Sequence, residues 1–303
     1  MQPEIVTRGV RFGEGPVWCP AGTDPRVEGD TLIVTSVADG ALYRVWPEAH
    51  RHELFAVTGG GANGAALCAD GSILVTQNGG IDFASYNLFA DPPPPMAPAA
   101  PGLQHAAAGG AVRYLAGGDA SPDPFRAPND LCAATDGTVY FTDPGHFPPP
   151  DDDVGRVIAF SIDGSTRVVA DGFFYCNGIA LDRDGELVVV ERSGLQRVHG
   201  DGTRDWVIEH LGAGGGDGFC LDADGRFYVA STVEHGVRVV DADGTVVDFL
   251  AIPGDGVTTN CCFGGPELRW LFATDAIPGD VVVWTDMPTP GLALPTAPVP
   301  RLE

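Results

Sequence analysis

The feature of this sequence that most constrains its fold is a unit that recurs six times along the chain. Each unit starts with a side chain that carries a carboxylate or amide oxygen, which we call the leader residue. A short apolar segment follows each leader, then a turn, and then a second apolar segment. The chain has six asparagines, and four of them are leaders. The six leader residues are Glu14, Asn63, Asn129, Asn177, Asp217 and Asn260.

The turn inside the unit indicates that its two apolar segments form a β-hairpin. Four units have an Asp-Gly pair there, at positions 70–71, 136–137, 184–185 and 224–225. Asp-Gly between apolar runs is a strong hairpin signal, because both turn residues accept positive φ. The first and last units are looser, with Gly29-Asp30 and Pro266-Glu267 at the turn. A polar break and one more apolar segment follow each hairpin.

The spacing of the units predicts the architecture. Successive leaders are 49, 66, 48, 40 and 43 residues apart. Repeats of roughly 40 to 50 residues with several strands each are typical of propeller blades. We therefore predict an all-β fold, a single six-bladed β-propeller domain over residues 1–303. We expect residues 5–7 to pair with C-terminal strands and close the ring, since closure removes exposed sheet edges.

The longest spacing indicates an insertion in the second unit. We place it at about 82–109, where residues 92–95 are four consecutive prolines. Proline cannot donate to a sheet ladder, so we predict a loop over this stretch. Such a loop can cover the mouth of the propeller or remain an ordinary surface loop.

The composition of the chain limits which kinds of molecule the protein can be expected to bind. The net charge is −24, with 17 arginines and no lysine, which argues against nucleic-acid binding. No apolar run reaches transmembrane length and no signal peptide is visible, so we expect no membrane partner and a cytoplasmic location. Seven cysteines, an odd number without a secretion signal, favour free thiols. We expect a monomer or a weak homo-oligomer.

The leader residues are the candidate functional site. In a propeller the strand nearest the axis begins at one mouth of the channel, so leaders from different blades converge there. Two carboxylates and two amide oxygens suit a hard divalent cation, with positions open for water and substrate. Ca²⁺ is the first expectation, with Zn²⁺, Mn²⁺, Mg²⁺ or Fe²⁺ as alternatives. The alternative is a purely structural role, in which Asn and Asp cap the turns that precede strands. The four expected metal ligands are Glu14, Asn129, Asn177 and Asp217.

Several motifs, in order, resemble those of the SMP-30/gluconolactonase family of regucalcin-like sugar lactonases, over nearly the whole chain. The resemblance implies a six-bladed propeller with one catalytic divalent metal. By this resemblance the metal ligands fall on the four residues named above, and the catalytic Asp falls on Asp217. The motifs are residues 12–18 (Phe-Gly-Glu-Gly-Pro-Val-Trp), 128–131 (Pro-Asn-Asp-Leu), 140–144 (Tyr-Phe-Thr-Asp-Pro), 177–182 (Asn-Gly-Ile-Ala-Leu-Asp), 217–219 (Asp-Gly-Phe) and 262–265 (Cys-Phe-Gly-Gly).

One departure from the family pattern concerns substrate specificity. Many sugar lactonases have Arg-x-Asn-Asp, whereas here Arg126-Ala-Pro-Asn129 is one residue longer, so Arg126 can point elsewhere. The other substrate-binding candidates are polar residues that share the leader frame or follow blade strands. They are Asn63, Asn260, His146 and Gln77, with Asn78 beside Gln77, and Glu191 and Tyr175 as weaker candidates.

The leading interpretation is a metal-dependent hydrolase that opens a lactone, with Asp217 as base, metal ligand or both. The chain lacks the Gly-x-Ser-x-Gly and His-Glu-x-x-His motifs of other hydrolases. One alternative keeps the metal site but acts on a non-sugar lactone, an organophosphate or a secondary metabolite. Another is a non-catalytic propeller that serves as a binding platform.

Overall fold

The computed structural model describes residues 2–86, 89, 98–117, 124–145 and 155–300. These residues form six antiparallel sheets of four strands each, which are the blades of the predicted all-β six-bladed propeller. The first strand of every blade contacts the first strand of the next, and the sixth blade contacts the first. The leaders therefore belong to one closed inner ring.

The strands follow the chain from the inside of each blade outward. The first three blades contain β2 (Gly13–Cys19), β3 (Thr31–Ser36), β4 (Ala41–Trp46) and β5 (Arg51–Val57); β6 (Ala62–Leu67), β7 (Ile73–Gln77), β8 (Gly102–Ala106) and β9 (Val112–Gly117); and β10 (Leu131–Ala133), β11 (Val139–Asp143), β12 (Gly155–Phe160) and β13 (Thr166–Phe173).

The last three blades repeat this order, except that the sixth takes its outer strand from the N-terminus. They contain β14 (Cys176–Leu181), β15 (Leu187–Glu191), β16 (Gly194–Val198) and β17 (Arg204–Ile208); β18 (Phe219–Leu221), β19 (Phe227–Ser231), β20 (Gly236–Val240) and β21 (Val246–Ala251); and β22 (Val257–Gly264), β23 (Trp270–Ile277), β24 (Asp280–Trp284) and β1 (Glu4–Arg8).

Helices contribute little to the described residues. One α-helix, α1, spans Phe83–Tyr86, and two short 3₁₀ turns span Pro47–Ala49 and Pro266–Leu268. Within the described part of the chain, no helix has the length and apolar character needed to cross a bilayer.

The ring closes through the N-terminal strand, as predicted. Strand β1 pairs antiparallel with β24, placing Glu4 opposite Val283 and Arg8 opposite Asp280. This pairing covers the edge that β24 would otherwise expose and joins the N-terminal strand to the sixth blade. Side chains from neighbouring blades pack between the sheets, for example Trp284 and Phe272 in the sixth blade, both fully buried.

The second blade corrects the predicted insertion. Within the predicted loop of 82–109, Gly102–Ala106 is β8, the third strand of the blade, and pairs with both β7 and β9. The apolar segment that follows the predicted loop forms the outer strand β9. The sequence Gly-Leu-Gln-His-Ala lacks β-branched residues, and Pro98 and Pro101 precede it. The strand was not predicted because its residues have low β propensity; its pairing with β7 stabilises it.

The four Asp-Gly hairpins also differ in detail from the expectation. Only the glycine of each pair takes positive φ, with values from 79° at Gly71 to 89° at Gly225. In two of the pairs the aspartate instead accepts a hydrogen bond from the backbone two residues later, as Asp136 does from Thr138 at 2.8 Å. In the other two pairs the acceptor is the aspartate two residues before the pair, Asp182 or Asp222, each at 2.9 Å. The turn signal was right, but the Asp acts through its side chain.

Candidate active site

The leader residues occupy the inner strands, and all six are buried. Glu14, Asn63, Asn177 and Asn260 lie in β2, β6, β14 and β22. The other two leaders, Asn129 and Asp217, directly precede the short inner strands β10 and β18.

Threonine hydroxyls fix three of the leaders to the preceding blade. Thr35 donates to the carbonyl oxygen of Asn63 at 2.5 Å, and Thr142 donates to that of Asn177 at 2.6 Å. Thr76 makes the same bond to Asn129. These threonines lie near the ends of second strands and are fully buried. Each hydroxyl satisfies a buried carbonyl, so the position of one leader depends on the blade before it.

A glycine after the leader lets neighbouring inner strands approach closely. This holds for Gly15, Gly64, Gly178 and Gly218. A Cβ atom on Gly178 would lie 2.4 Å from the carbonyl oxygen of Asp217, and one on Gly218 would lie 2.1 Å from Cγ of Asn260. The repeated leader-glycine pair is therefore a packing requirement of the ring.

We expect Gly178→Ala to destabilise the protein by about 1–3 kcal/mol, the usual cost of overpacking a close contact. The added methyl must displace the Asp217 backbone, so activity should fall as well. Gly200→Ala is the matched control, because a Cβ there meets nothing within 4 Å. Urea unfolding of both variants measures the difference. Equal stability of the two variants would show that the ring has room at Gly178.

A polar residue at or near the end of the second strand holds the segment leading to the inner strand in several blades. Glu191 accepts from the backbone N–H of Phe174 at 2.9 Å. Asp143 accepts from the N–H groups of Arg126 and Ala127 at 2.9 and 2.8 Å. Asp275 accepts from Val257 N at 3.1 Å.

Gln77, a candidate for binding substrate, belongs to the same set. It is fully buried, and its amide accepts from Gly61 N at 2.6 Å and donates to Gly59 O at 2.6 Å. Both polar atoms of its side chain are hydrogen-bonded to the backbone. Its neighbour Asn78 lines the cavity.

A cavity of about 1000 Å³ opens at the leader end of the inner strands. The leaders at its base are Glu14, Asn63, Asn129, Asn177 and Asp217. Its walls contain both polar and apolar side chains. The other described lining residues with side chains are Phe12, Asn78, Ile81, Asp82, Ala127, Pro144, Phe174, Tyr175, Arg192, Ser193, Thr232, Val257 and Thr259.

Four leaders present a buried oxygen with no hydrogen-bond partner among the described residues. These atoms are Oδ1 of Asn63, Asn129, Asn177 and Asp217. Buried polar oxygens are normally bonded, and each unsatisfied one costs about 1–3 kcal/mol. These four oxygens at one cavity are therefore available to a bound group that donates hydrogen bonds or accepts electron pairs.

The sixth leader, Asn260, lies behind Glu14 instead of lining the cavity. Its Nδ2 donates to both carboxylate oxygens of Asp130, at 2.9 and 3.0 Å, and to Oε2 of Glu14 at 3.2 Å. Its own oxygen accepts from Cys261 N at 2.9 Å. Asn260 therefore orients Glu14.

Asp130 is a site residue that the sequence analysis missed. It directly follows the leader Asn129, at the position where four other units have glycine. A carboxylate in place of this glycine was the sequence signal that could have identified it. Burial raises the pKa of Asp130 to about 7. Burial also raises the pKa of Glu14, and the charges of Asp217 and Asp130 raise it further. For Asp217, burial and then the charge of Asp130 raise the pKa, while a hydrogen bond from Asn177 lowers it.

These observations test whether the residues fit the divalent cation that the sequence resemblance implies. Buried carboxylates that repel one another are stabilised by a positive charge. The unsatisfied oxygens of Asn129, Asn177 and Asp217 are hard donors of the kind that Ca²⁺ or Mg²⁺ prefers. Among the described residues, no three His, Cys, Asp or Glu side chains are grouped as a metal cluster. A site here would combine carboxylate with amide oxygens, and this donor set fits a hard cation.

The remaining candidates lie in three places. Arg126 is outside the described lining of the cavity, where Ala127 stands instead, and its backbone bonds Asp143. Tyr175 lines the cavity, and burial raises its pKa. His146 lies outside the described residues.

Residues 12–277 match the family described as SMP-30/Gluconolactonase/LRE-like region. The chain belongs to this family. Pentonolactonase XacC of Haloferax volcanii is 27% identical over 282 residues, an alignment that covers 90% of this chain and 84% of the relative. The family match over residues 12–277 includes every leader residue.

Solved structures support the fold. The calcium-binding protein regucalcin from Agrobacterium tumefaciens is 20% identical, with a TM-score of 0.73 over 100% of this chain and 98% of that one. A gluconolactonase from Xanthomonas campestris is 22% identical, with a TM-score of 0.70 over 95% and 89%. At these identities the likeness carries the propeller architecture alone.

Proposed function

We propose that this protein is a metal-dependent lactonase acting on sugar lactones or close relatives. The observation that carries the proposal is the set of unsatisfied leader oxygens at the base of one cavity. Family membership and the similarity to a named pentonolactonase support lactone opening as the reaction. The competing proposal keeps the same metal ligands but takes a non-sugar lactone, an organophosphate or a secondary metabolite as the substrate.

The cation would be held by Glu14, Asn129, Asn177 and Asp217, with Asn260 and Asp130 behind Glu14. When bound, a divalent cation supplies Lewis-acid polarisation of a carbonyl and stabilises negative charge on its oxygen. The amide of Asn177 hydrogen-bonds Asp217 and keeps that carboxylate directed into the cavity.

Hydrolysis consumes one water molecule. The water oxygen bonds to the acyl carbon, the bond from that carbon to the ring oxygen breaks, and the product is a hydroxy acid. We assign Asp217 as the base that accepts the water proton, which then passes to the departing ring oxygen. Asn63, which lines the same cavity, would orient substrate hydroxyls.

Removing divalent cations with a chelator is expected to abolish lactone hydrolysis, and adding them back one at a time should restore it. Rates with Ca²⁺, Mg²⁺, Mn²⁺, Zn²⁺ and Fe²⁺ on a panel of aldonolactones measure this. A phosphotriester in the same panel tests the competing substrate class. Full activity in the chelated protein would refute metal dependence, and metal binding without turnover of any ester would favour a binding platform.

A further inference from the structure

Arg192 is the one positively charged side chain among the described residues that line the cavity. The same lining contains three carboxylates, Glu14, Asp82 and Asp217. Arg192 is exposed, and within the described residues no carboxylate lies within ion-pair distance of it. By contrast, Arg197 on the following strand pairs with Asp182 and Glu186 at 3.2 and 2.9 Å. In a chain with 41 acidic residues and 17 arginines, an arginine without such a partner is available to a ligand.

The guanidinium of Arg192 is held in place by an aromatic platform. Its Cζ lies 3.6 Å from the centre of the Phe174 ring, and Phe174 also lines the cavity. Stacking on a ring leaves the edge of the guanidinium, with its N–H donors, free to bind in the plane. Phe174 is itself positioned by Glu191, which accepts from its backbone N–H at 2.9 Å.

The turn that carries Arg192 is strained and tightly packed. Residues 192–193 alone connect β15 to β16, and Arg192 has φ 53°, a left-handed conformation that non-glycine residues adopt at a cost. The N–H of Leu211 donates to Ser193 O at 2.6 Å. A Cβ atom on Gly215 would lie 2.3 Å from the carbonyl oxygen of Arg192. The glycine-rich segment 212–216 therefore packs directly against this turn.

We propose that Arg192 is a specificity-determining residue that binds an anionic group of the substrate, so that the preferred lactone carries a carboxylate or phosphate away from its reacting carbonyl. The planar guanidinium matches both groups through paired hydrogen bonds. A neutral sugar lactone requires no cation at this wall. This inference rests on the proposed lactone hydrolysis and names the substrate class within it.

The test compares three lactones of the same ring size: a neutral aldonolactone, one with a terminal carboxylate and one with a terminal phosphate. We expect wild-type protein to prefer an anionic lactone, and the two anionic arms distinguish carboxylate from phosphate. Arg192→Gln should raise KM for the preferred anionic lactone by roughly 10- to 100-fold, the scale of a charged hydrogen bond. Its kcat, and both constants for the neutral lactone, should change by less than about 2-fold.

Arg183→Gln is the control, because it makes the same change in net charge on an exposed arginine at the Asp-Gly turn of the same blade. Arg192→Lys should show an intermediate loss, since it keeps the charge but not the planar fork. An equal loss on neutral and anionic lactones, or the same loss in Arg183→Gln, would overturn the proposal.

If no lactone is hydrolysed, the proposed function fails but the role of Arg192 is still tested. Calorimetric titration with the ring-opened diacid and with a phosphorylated aldonate then gives the readout. Binding to wild type that weakens at least 10-fold in Arg192→Gln supports the anion site. Equal affinity in the two proteins, or no binding to either, overturns it.

Discussion

Replacing Asp217 by asparagine is expected to lower lactone turnover by about 10²–10⁴-fold, the usual contribution of a general base. The substitution keeps the side-chain volume but removes a carboxylate that lines the cavity and whose buried Oδ1 has no hydrogen-bond partner among the described residues. It also leaves Glu14 as the one carboxylate among the leaders that line the cavity. Steady-state kinetics at increasing metal concentration measures the effect.

The metal dependence separates the two roles of Asp217. If Asp217 only holds the cation, excess metal should recover part of the rate, whereas loss of the base persists at saturation. Asp136→Asn, at an exposed turn, is the control for a change of charge alone. Wild-type rates in Asp217→Asn with metal fully bound would refute the assignment.

Replacing Asp143 by alanine should cost about 3–5 kcal/mol of stability, the range for removing one partner of a buried ion pair. Asp143 is fully buried, and its Oδ2 accepts from Nε of the largely buried Arg156 at 2.9 Å. It also accepts from the N–H groups of Arg126 and Ala127. The segment that leads to Asn129 therefore loses its support together with the ion pair.

Asp280→Asn provides the comparison for Asp143→Ala. Asp280 pairs with Arg8 at 3.2 Å, but the arginine side chain is 68% exposed, so this pair should contribute no more than about 1 kcal/mol. Denaturant unfolding of both variants gives the two free energies. A loss of under 1 kcal/mol in Asp143→Ala would show that the third blade does not depend on this carboxylate.

The predictions that succeeded depend on short stretches of chain. Asp-Gly turns between apolar segments and a recurring leader residue are local patterns, and their spacing was sufficient to predict six blades. Strand β8 was missed because Gly102–Ala106 has weak β propensity and forms through its pairing with β7. A strand stabilised by its neighbours leaves little trace in its own residues.

The sequence by itself determined which residues lie on the inner ring, because the leader recurs at one position of a unit that folds locally. Only the tertiary structure decided what each of them faces. Asn63 lines the cavity, while Asn260 hydrogen-bonds Glu14 and Asp130 and Gln77 hydrogen-bonds the backbone. Arg192 stacks on Phe174 at the cavity wall. Contacts that exist only in the folded chain fix these directions. Asn260 meets residues of other blades, whereas Gln77 and Arg192 meet the segment that leads into their own blade.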